Sequence, residues 1–169
     1  MFVTKRDGKK ETFNFKKIEK SIKYFSTNLK GIDPDKLMDK MNLKIYNGMT
    51  SRYIIESMIL SAQELIDINN TDYEKIASRI TLNNFEKETV IQHGTNKLTF
   101  KESIKKGIEA KRVNKRIALL DLDVIESWID YNRDFKLSYL SVLTIIDRYV
   151  LKKKTENSII NLELIQHFF

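Results

Sequence analysis

Apolar residues recur at intervals of three and four along most of the chain, which is the period of amphipathic helices. Residues that break helices are rare, since the 169 residues include one proline and five glycines. We therefore predict a mainly α-helical protein. The first four predicted helices carry their apolar residues at Ile18, Ile22, Phe25 and Leu29; at Leu37, Met41 and Ile45; at Ile54, Met58, Ala62, Leu65 and Ile66; and at Tyr73, Ile76, Ala77, Ile80 and Phe85.

Capping residues indicate where these helices begin and end. Glycine favours the end of a helix, so we expect the first helix to stop at Gly31 and the second at Gly48. Short polar side chains and proline favour the beginning. The predicted beginnings are Asn14, Asp33 before a proline, Thr50 or Ser51, and a position near Asp72.

The first thirteen residues follow a different pattern. Two short β-prone runs cover residues 2–4 and 10–13, and Asp7 and Gly8 lie between them. An Asp-Gly pair supplies the positive φ that a tight turn between two strands requires. The sequence therefore predicts a small N-terminal β-hairpin that caps a four-helix domain.

The helical pattern lapses between Ile91 and Lys97, which is typical of a domain boundary. We predict a first domain over residues 1–91 and a helical extension over residues 92–169. A last apolar turn begins at Asn161 and runs to Phe169 without a capping residue, so we expect a truncated protein or one piece of a split protein. The other predicted helices of the extension contain Ile104 and Ile108; Val124, Ile125, Trp128 and Ile129; and Leu140, Leu143, Ile146 and Val150.

Composition narrows the class of protein further. No apolar run approaches the ~20 residues of a membrane span, and the first residues lack the pattern of a secretory signal. We therefore expect a cytoplasmic protein. The chain has no cysteine, which excludes disulfides, cysteine zinc sites, iron–sulfur clusters and thiol nucleophiles.

The positive charge is concentrated in one segment. The formal net charge is +7, and residues 96–116 contain eight basic and two acidic residues, so most of the excess lies there. Such a segment can hold nucleic-acid phosphates, although a solvated helix face is the more common explanation. The basic residues of this segment are Lys97, Lys101, Lys105, Lys106, Lys111, Arg112, Lys115 and Arg116.

No set of residues typical of a catalytic or metal site is evident. His93 and His167 lie far apart in the sequence, and neither is near a spaced carboxylate pair, so we interpret both as surface histidines. Glycine-rich phosphate-binding loops are also missing.

The hairpin and the residues that follow it carry the most informative polar side chains. Lys5 and Arg6 lie at the turn, Glu11 lies on the second strand, and Asn14 and Lys17 follow at the first helix. Cations of this kind can pair with phosphates, and a neighbouring carboxylate and amide can distinguish an adenine edge. The alternative is a solvated turn in which Glu11 pairs across the hairpin with a lysine.

Several motifs occur in a characteristic order: residues 3–8 (VTKRDG), Glu11, 15–18 (FKKI), 46–51 (YNGMTS), 72–73 (DY) and 76–80 (IASRI). This order resembles the ATP cone at the N-terminus of ribonucleotide reductase large subunits. A second block, residues 131–135 (YNRDF), Tyr139 and 147–151 (DRYVL), resembles the stretch that precedes the catalytic barrel in class I large chains. A cone also occurs in anaerobic reductases and in a zinc-ribbon repressor, but that repressor needs cysteines.

The resemblance implies an allosteric site at which ATP keeps a reductase active and dATP inactivates it, with Mg²⁺ accompanying the triphosphate. At the position where the family often carries a polar side chain near the sugar, this chain has Ile55, so we expect weak discrimination between ATP and dATP. The other implied roles are phosphate contacts for Lys5, Arg6, Lys17 and Lys87, adenine contacts for Glu11 and Asn14, a contact near the phosphates for Ser51, and the pocket wall for Ile54.

Catalysis in this family requires cysteines in an α/β barrel, so the resemblance implies that this chain does not reduce ribonucleotides alone. The implied partners are the remaining catalytic part of the large subunit and the radical-generating small subunit, which together make deoxyribonucleotides for DNA replication. Two other hypotheses remain open: a stand-alone nucleotide-sensing module, and a helical adaptor that binds nucleic acid through residues 97–116.

Overall fold

The structure is a computed structural model that describes residues 1–94, 98–154 and 159–161. The chain divides into two compact units, Met1–Thr81 and Leu82–Phe169. This division falls inside one long helix, and the predicted domain boundary after residue 91 stays a prediction.

The first unit opens with the predicted hairpin. Strands β1 (Phe2–Thr4) and β2 (Lys10–Thr12) pair antiparallel, with Val3 opposite Glu11. Gly8 has a φ of +80° at the turn, a conformation in which a side chain would be strained. The prediction of a hairpin from the Asp-Gly pair is therefore confirmed.

Four helices follow the hairpin: α1 (Phe15–Phe25), α2 (Pro34–Asn42), α3 (Ser51–Gln63) and α4 (Asp72–Gln92), the last of which continues into the second unit. The predicted N-terminal caps are confirmed at Asn14, Asp33 and Thr50, whose side chains accept hydrogen bonds from backbone N–H groups of the first turn. In the first unit, the apolar faces of the helices and Met49, which precedes α3, form a buried core that also includes Ile22, Leu37, Met41, Ala62 and Ile76.

The predicted helix ends are wrong at two places. Helix α1 ends at Phe25 rather than at Gly31, and Asn28 takes the left-handed conformation with a φ of +63°. Helix α2 ends at Asn42 rather than at Gly48. Gly48 has a φ of +85° and lies in a segment that pairs with β1, so its conformational freedom is used to place that segment.

The hairpin is fastened to the start of α3 by backbone pairing. Gly48 N donates to Phe2 O at 2.9 Å, Thr4 N donates to Met49 O at 2.9 Å, and Thr4 and Thr50 form a parallel bridge. The side-chain oxygen of Asn47 also accepts from Phe2 N at 2.8 Å. Residues 47–50 therefore run along β1 like a short third strand.

The second unit is also mainly helical. It contains α5 (Phe100–Glu109), α6 (Leu122–Ser127), α7 (Tyr139–Thr144), two 3₁₀ helices (Lys115–Leu119 and Tyr131–Lys136) and a π-helix (Ile145–Tyr149). The predicted helices at the positions of α5, α6 and α7 are confirmed. A buried cluster of Leu82, Phe85, Val142 and Val150 forms a core of this unit.

A second hairpin was not predicted. Strands β3 (Lys152–Lys154) and β4 (Ile159–Asn161) pair antiparallel. Three consecutive lysines have a low preference for strands, which is why the sequence did not indicate β3. Asn161 belongs to β4, so the helical turn predicted to begin there is wrong at that residue. The remainder of that predicted turn, residues 162–169 with His167, lies outside the described residues.

None of the helices in the part of the chain that the structure describes is long and apolar enough to cross a membrane.

Candidate functional site

Three of the predicted site residues meet beside the hairpin. Glu11 on β2 lies between Lys5, which follows β1, and Lys17 in the first turns of α1. Lys5 Nζ lies 2.8 Å from Glu11 Oε2, and Lys17 Nζ donates to Glu11 Oε1. Both carboxylate oxygens therefore hold a lysine. We call Lys5, Glu11 and Lys17 the hairpin triad.

The electrostatics of the hairpin triad favour an ionised carboxylate. The hydrogen bond from Lys17, followed by that from Lys5, lowers the pKa of Glu11 to about 2. All three side chains remain accessible to solvent, with exposed fractions of 42% for Lys5, 39% for Glu11 and 61% for Lys17. The pairing expected for a solvated turn is thus present, and the same pairing brings two cations of the predicted phosphate site together.

Asn14 lies next to this group and has a structural role of its own. Its side-chain oxygen accepts a hydrogen bond from Lys16 N at 2.9 Å and so caps α1. The side-chain NH₂ is therefore the group of Asn14 that can donate to a ligand. A donor at this position fits an acceptor nitrogen of a purine ring.

The start of α3 lies beside the end of β1, because residues 47–50 pair with that strand. Ser51 is the first residue of α3 and is half-buried. The N-terminus of a helix carries unpaired N–H groups and a partial positive charge, and both favour anions. Ile54 and Ile55 are half-buried in the next turn of the same helix.

Two other predicted phosphate ligands are exposed. Arg6 is exposed at the hairpin turn, one residue beyond Lys5. Lys87 is exposed on the part of α4 that belongs to the second unit. The role assigned to Lys87 therefore stays a prediction from the sequence.

Sequence reasoning missed how the hairpin is held in place. Asn47 and Gly48 fasten β1 through a side-chain oxygen and a backbone N–H. An Asn-Gly pair is a recognisable turn signal, but nothing in the spacing indicates which strand it contacts. This attachment determines where the start of α3 lies relative to Lys5.

A cleft of about 600 Å³ lies elsewhere in the first unit, between the start of α2 and the loop that follows α3. Its lining includes Asp33, Lys36, Asp67 and Tyr73. None of the predicted site residues lines this cleft. Among the described residues, no group of three or more His, Cys, Asp or Glu side chains is arranged to hold a metal ion.

The basic segment of the second unit is largely exposed. Lys101 forms an ion pair with Asp123 at 2.7 Å, and that carboxylate raises the pKa of Lys101. Lys105, Lys111 and Arg112 are exposed on or just after α5, whereas Lys97 lies outside the described residues. A solvated helix face and a phosphate-binding face both fit this exposure.

A buried carboxyl group in the second unit was also missed. Asp134 is 2% exposed, and within the described ranges its Oδ2 has no hydrogen-bond partner. Burial, together with the nearby charge of Asp130, raises the pKa of Asp134 to about 6. The YNRDF motif indicated a family and gave no sign that its aspartate is buried.

Comparisons with known proteins identify the first domain. Residues 1–88 match the family of the ATP cone domain. The chain is 32% identical to the ribonucleoside-diphosphate reductase subunit alpha of Helicobacter pylori, over 99% of this chain and 21% of that protein. It is 30% identical to the ribonucleoside-diphosphate reductase large subunit of Arabidopsis thaliana, over 90% of this chain and 19% of that protein.

A more distant relative gives the same coverage. The ribonucleoside-diphosphate reductase 1 subunit alpha of Escherichia coli is 23% identical over 94% of this chain and 21% of its own length. The chain thus spans about a fifth of the length of the curated relatives it matches.

Proposed function

The chain belongs to the ATP cone family, and we propose that it binds ATP or dATP as an allosteric effector of a ribonucleoside-diphosphate reductase. The observation that carries the proposal is the hairpin triad beside the start of α3. Lys5 and Lys17 come from separate elements and meet at one carboxylate. A triphosphate bears about four negative charges, so converging cations are the groups it needs.

The proposed binding mode assigns a role to each neighbouring group. Mg²⁺ accompanies the triphosphate. The phosphate oxygens accept hydrogen bonds from Lys5, Lys17 and the N-terminal turn of α3 at Ser51. Asn14 donates to a ring nitrogen of adenine, and Glu11 accepts from the adenine amino group. Arg6, exposed at the turn, adds a further cation. Each assignment uses donors and acceptors that the side chains carry at their described positions.

The reductase reaction itself requires another part of the enzyme. The resemblance places catalysis on cysteines, and this chain contains none. We therefore propose that the chain acts with the catalytic part of a reductase large subunit and with the small subunit. Reductase relatives about five times longer than this chain support the first of these partners.

Isothermal titration calorimetry with ATP tests the proposed site. Lys17→Ala removes a charge-assisted contact with the phosphates, so we expect ATP affinity to fall at least tenfold. The thermal midpoint without ligand should stay nearly unchanged, because the pair between Lys17 and Glu11 is exposed and such pairs contribute little to stability.

Lys20→Ala is the matched control, since it removes the same charge from an exposed position three residues further along α1. We expect this control to bind ATP within about threefold of the unaltered chain. Equal losses of affinity in the two variants would indicate a general charge effect. Absence of binding by the folded, unaltered chain at millimolar ATP would contradict the proposed function.

A further inference from the structure

The hairpin triad holds its two lysines on an anion that belongs to the protein itself. Lys5 Nζ and Lys17 Nζ contact different oxygens of the same carboxylate. Two ammonium groups that share one carboxylate are close enough together for one phosphate group to bridge them. Glu11 therefore occupies the position that a phosphate would take between these cations.

Resting on the proposed function, we infer that Glu11 is a specificity-determining residue that closes this cation site to phosphates lacking a base. A polyphosphate alone must displace Glu11 from both lysines, and it leaves the carboxylate ionised beside the phosphate charge. Two charge-assisted hydrogen bonds are lost, and two like charges are brought together.

A whole adenine nucleotide avoids this penalty. Its 6-amino group donates to the displaced carboxylate while its phosphates take the two lysines. The lysines then exchange Glu11 for the phosphates, and Glu11 exchanges the lysines for the adenine amino group. Both partners keep charge-assisted contacts. Specificity of this kind arises from a penalty against the wrong ligand more than from extra attraction for the right one.

The position of Glu11 on the hairpin fits this exchange. Glu11 lies on β2 with 39% of its side chain exposed, so the carboxylate can turn from the lysines to a ligand without unburying the core. The two lysines lie on opposite sides of it along the chain, one after β1 and one in α1. A ligand that spans the hairpin and the start of α1 contacts all three residues.

Calorimetry with inorganic tripolyphosphate and with ATP tests this inference on the full chain, at one fixed Mg²⁺ concentration. We expect Glu11→Gln to bind tripolyphosphate at least tenfold more tightly than the unaltered chain. ATP affinity should change by a smaller factor, because the variant gains access to the lysines and replaces the charged acceptor for adenine with a neutral amide oxygen. The preference for ATP over tripolyphosphate should therefore fall.

Asp7→Asn is the matched control. It removes one negative charge from the same hairpin, where Asp7 pairs with Lys9 at 3.3 Å and has no contact with the hairpin triad among the pairs described. We expect its tripolyphosphate affinity to stay within threefold of the unaltered chain. Unchanged tripolyphosphate binding in Glu11→Gln, or an equal gain in Asp7→Asn, would overturn the inference.

A second measurement uses the unaltered chain and does not depend on a variant. Nuclear magnetic resonance can follow the Glu11 carboxyl carbon through a pH titration. Saturating ATP should move the Glu11 pKa up from about 2 towards its ordinary value, because the two lysines leave the carboxylate. No movement would mean that Glu11 keeps the lysines in the complex, and the inference would be wrong.

Failure of the proposed function would give different calorimetric results from failure of the inference about Glu11. The unaltered chain would then bind neither ATP nor dATP, and the inference about Glu11 would fall with it. ATP binding combined with no effect of Glu11→Gln on tripolyphosphate would leave the proposed function standing and overturn the inference alone.

Discussion

Ile55 stands at the position that the family resemblance places near the sugar of a bound nucleotide. It lies half-buried in the second turn of α3, close in sequence to Ser51 and the start of the helix. An isoleucine side chain has no hydrogen-bonding group, so it gives the ribose 2′-hydroxyl neither a donor nor an acceptor. Other groups would have to distinguish ATP from dATP.

We therefore expect ATP and dATP to bind within about tenfold of each other, a gap of roughly 1.4 kcal/mol or less. Competition calorimetry with the two nucleotides measures this ratio directly. Ile55→Asn supplies a donor and an acceptor at the same position and should widen the ratio. A preference well above tenfold in the unaltered chain would show that the 2′-hydroxyl is recognised by another residue.

Asp134 should make the stability of the second unit depend on pH. Its pKa is raised from 3.8 to about 6 because burial penalises the charged form. Below the pKa that this carboxyl group has in the unfolded chain, the group is neutral in both states and burial carries no charge penalty. The folded state is therefore most stable there. The free energy of unfolding then falls as the pH rises from about 4 to about 6, and stays lower above that range.

Asp134→Asn removes this charge and should raise the free energy of unfolding at pH 7.5. A shift of this size corresponds to about 3 kcal/mol at most, since one pKa unit is worth ~1.4 kcal/mol. Urea titrations followed by circular dichroism at pH 4.5 and pH 7.5 measure the effect. The gain should be clearly smaller at pH 4.5, and an equal gain at both values would rule out ionisation as the cause.

At the scale of elements, the attachment of the hairpin to residues 47–50 determines the geometry of the site. The contact between Asn47 Oδ1 and Phe2 N is 2.8 Å long and is made on the surface of the first unit. A single hydrogen bond of this type contributes about 0.5–1.5 kcal/mol. Its loss should therefore loosen the hairpin without unfolding the helices.

Asn47→Ala is expected to speed amide hydrogen exchange in β1 and β2 and to weaken ATP binding, with the core of α3 and α4 unaffected. Asn47→Asp is the control, because it keeps an acceptor oxygen at the same position. Hydrogen exchange followed by mass spectrometry measures the two variants together. Equal exchange of the hairpin in both would mean that the backbone pairing alone holds β1.

The elements that the sequence predicted well are those with local signals. The hairpin follows from Asp7 and Gly8, and the beginning of α1 follows from Asn14, because each residue acts on its own few neighbours. The pairing of β1 with residues 47–50 joins segments more than forty residues apart, and no local signal specifies it. The helix ends at Phe25 and Asn42 were also missed.

The site was predicted in part. Local motifs brought Lys5, Glu11 and Lys17 into consideration, and the structure places the three in contact. The sequence could not predict that Glu11 contacts both lysines, because spacing along a chain does not determine which lysine a carboxylate meets. The burial of Asp134 depends on packing between distant residues, so the sequence did not predict it either.

At the scale of the whole molecule, both units leave large apolar side chains exposed, and in the first unit Leu43 is 84% exposed and Ile68 is 93% exposed. In the second unit, Leu119 is 85% exposed, Trp128 is 75% exposed and Leu140 is 70% exposed. Single exposed apolar side chains are common on any protein, whereas a contiguous apolar patch is typical of a surface that binds another protein. Trp128 is exposed enough to report contact with the proposed catalytic part of a reductase.

Trp128 makes that partnership measurable, since it is the one tryptophan in the chain. Addition of a reductase polypeptide without tryptophan, or with its tryptophans replaced, should shift the Trp128 emission to shorter wavelength and protect it from acrylamide quenching. Trp128→Phe supplies the blank for these spectra. Emission and quenching that stay unchanged while ATP still binds would mean that the added polypeptide does not cover Trp128.

The pairing of residues 47–50 with β1 has a mechanical consequence. Those residues lead directly into α3, whose thirteen residues form a rod about 20 Å long. Because the start of this helix is joined to the hairpin by backbone hydrogen bonds, a displacement of the hairpin would act directly on the base of α3. A nucleotide that displaced the hairpin would therefore also pull on the helix whose other end is Gln63.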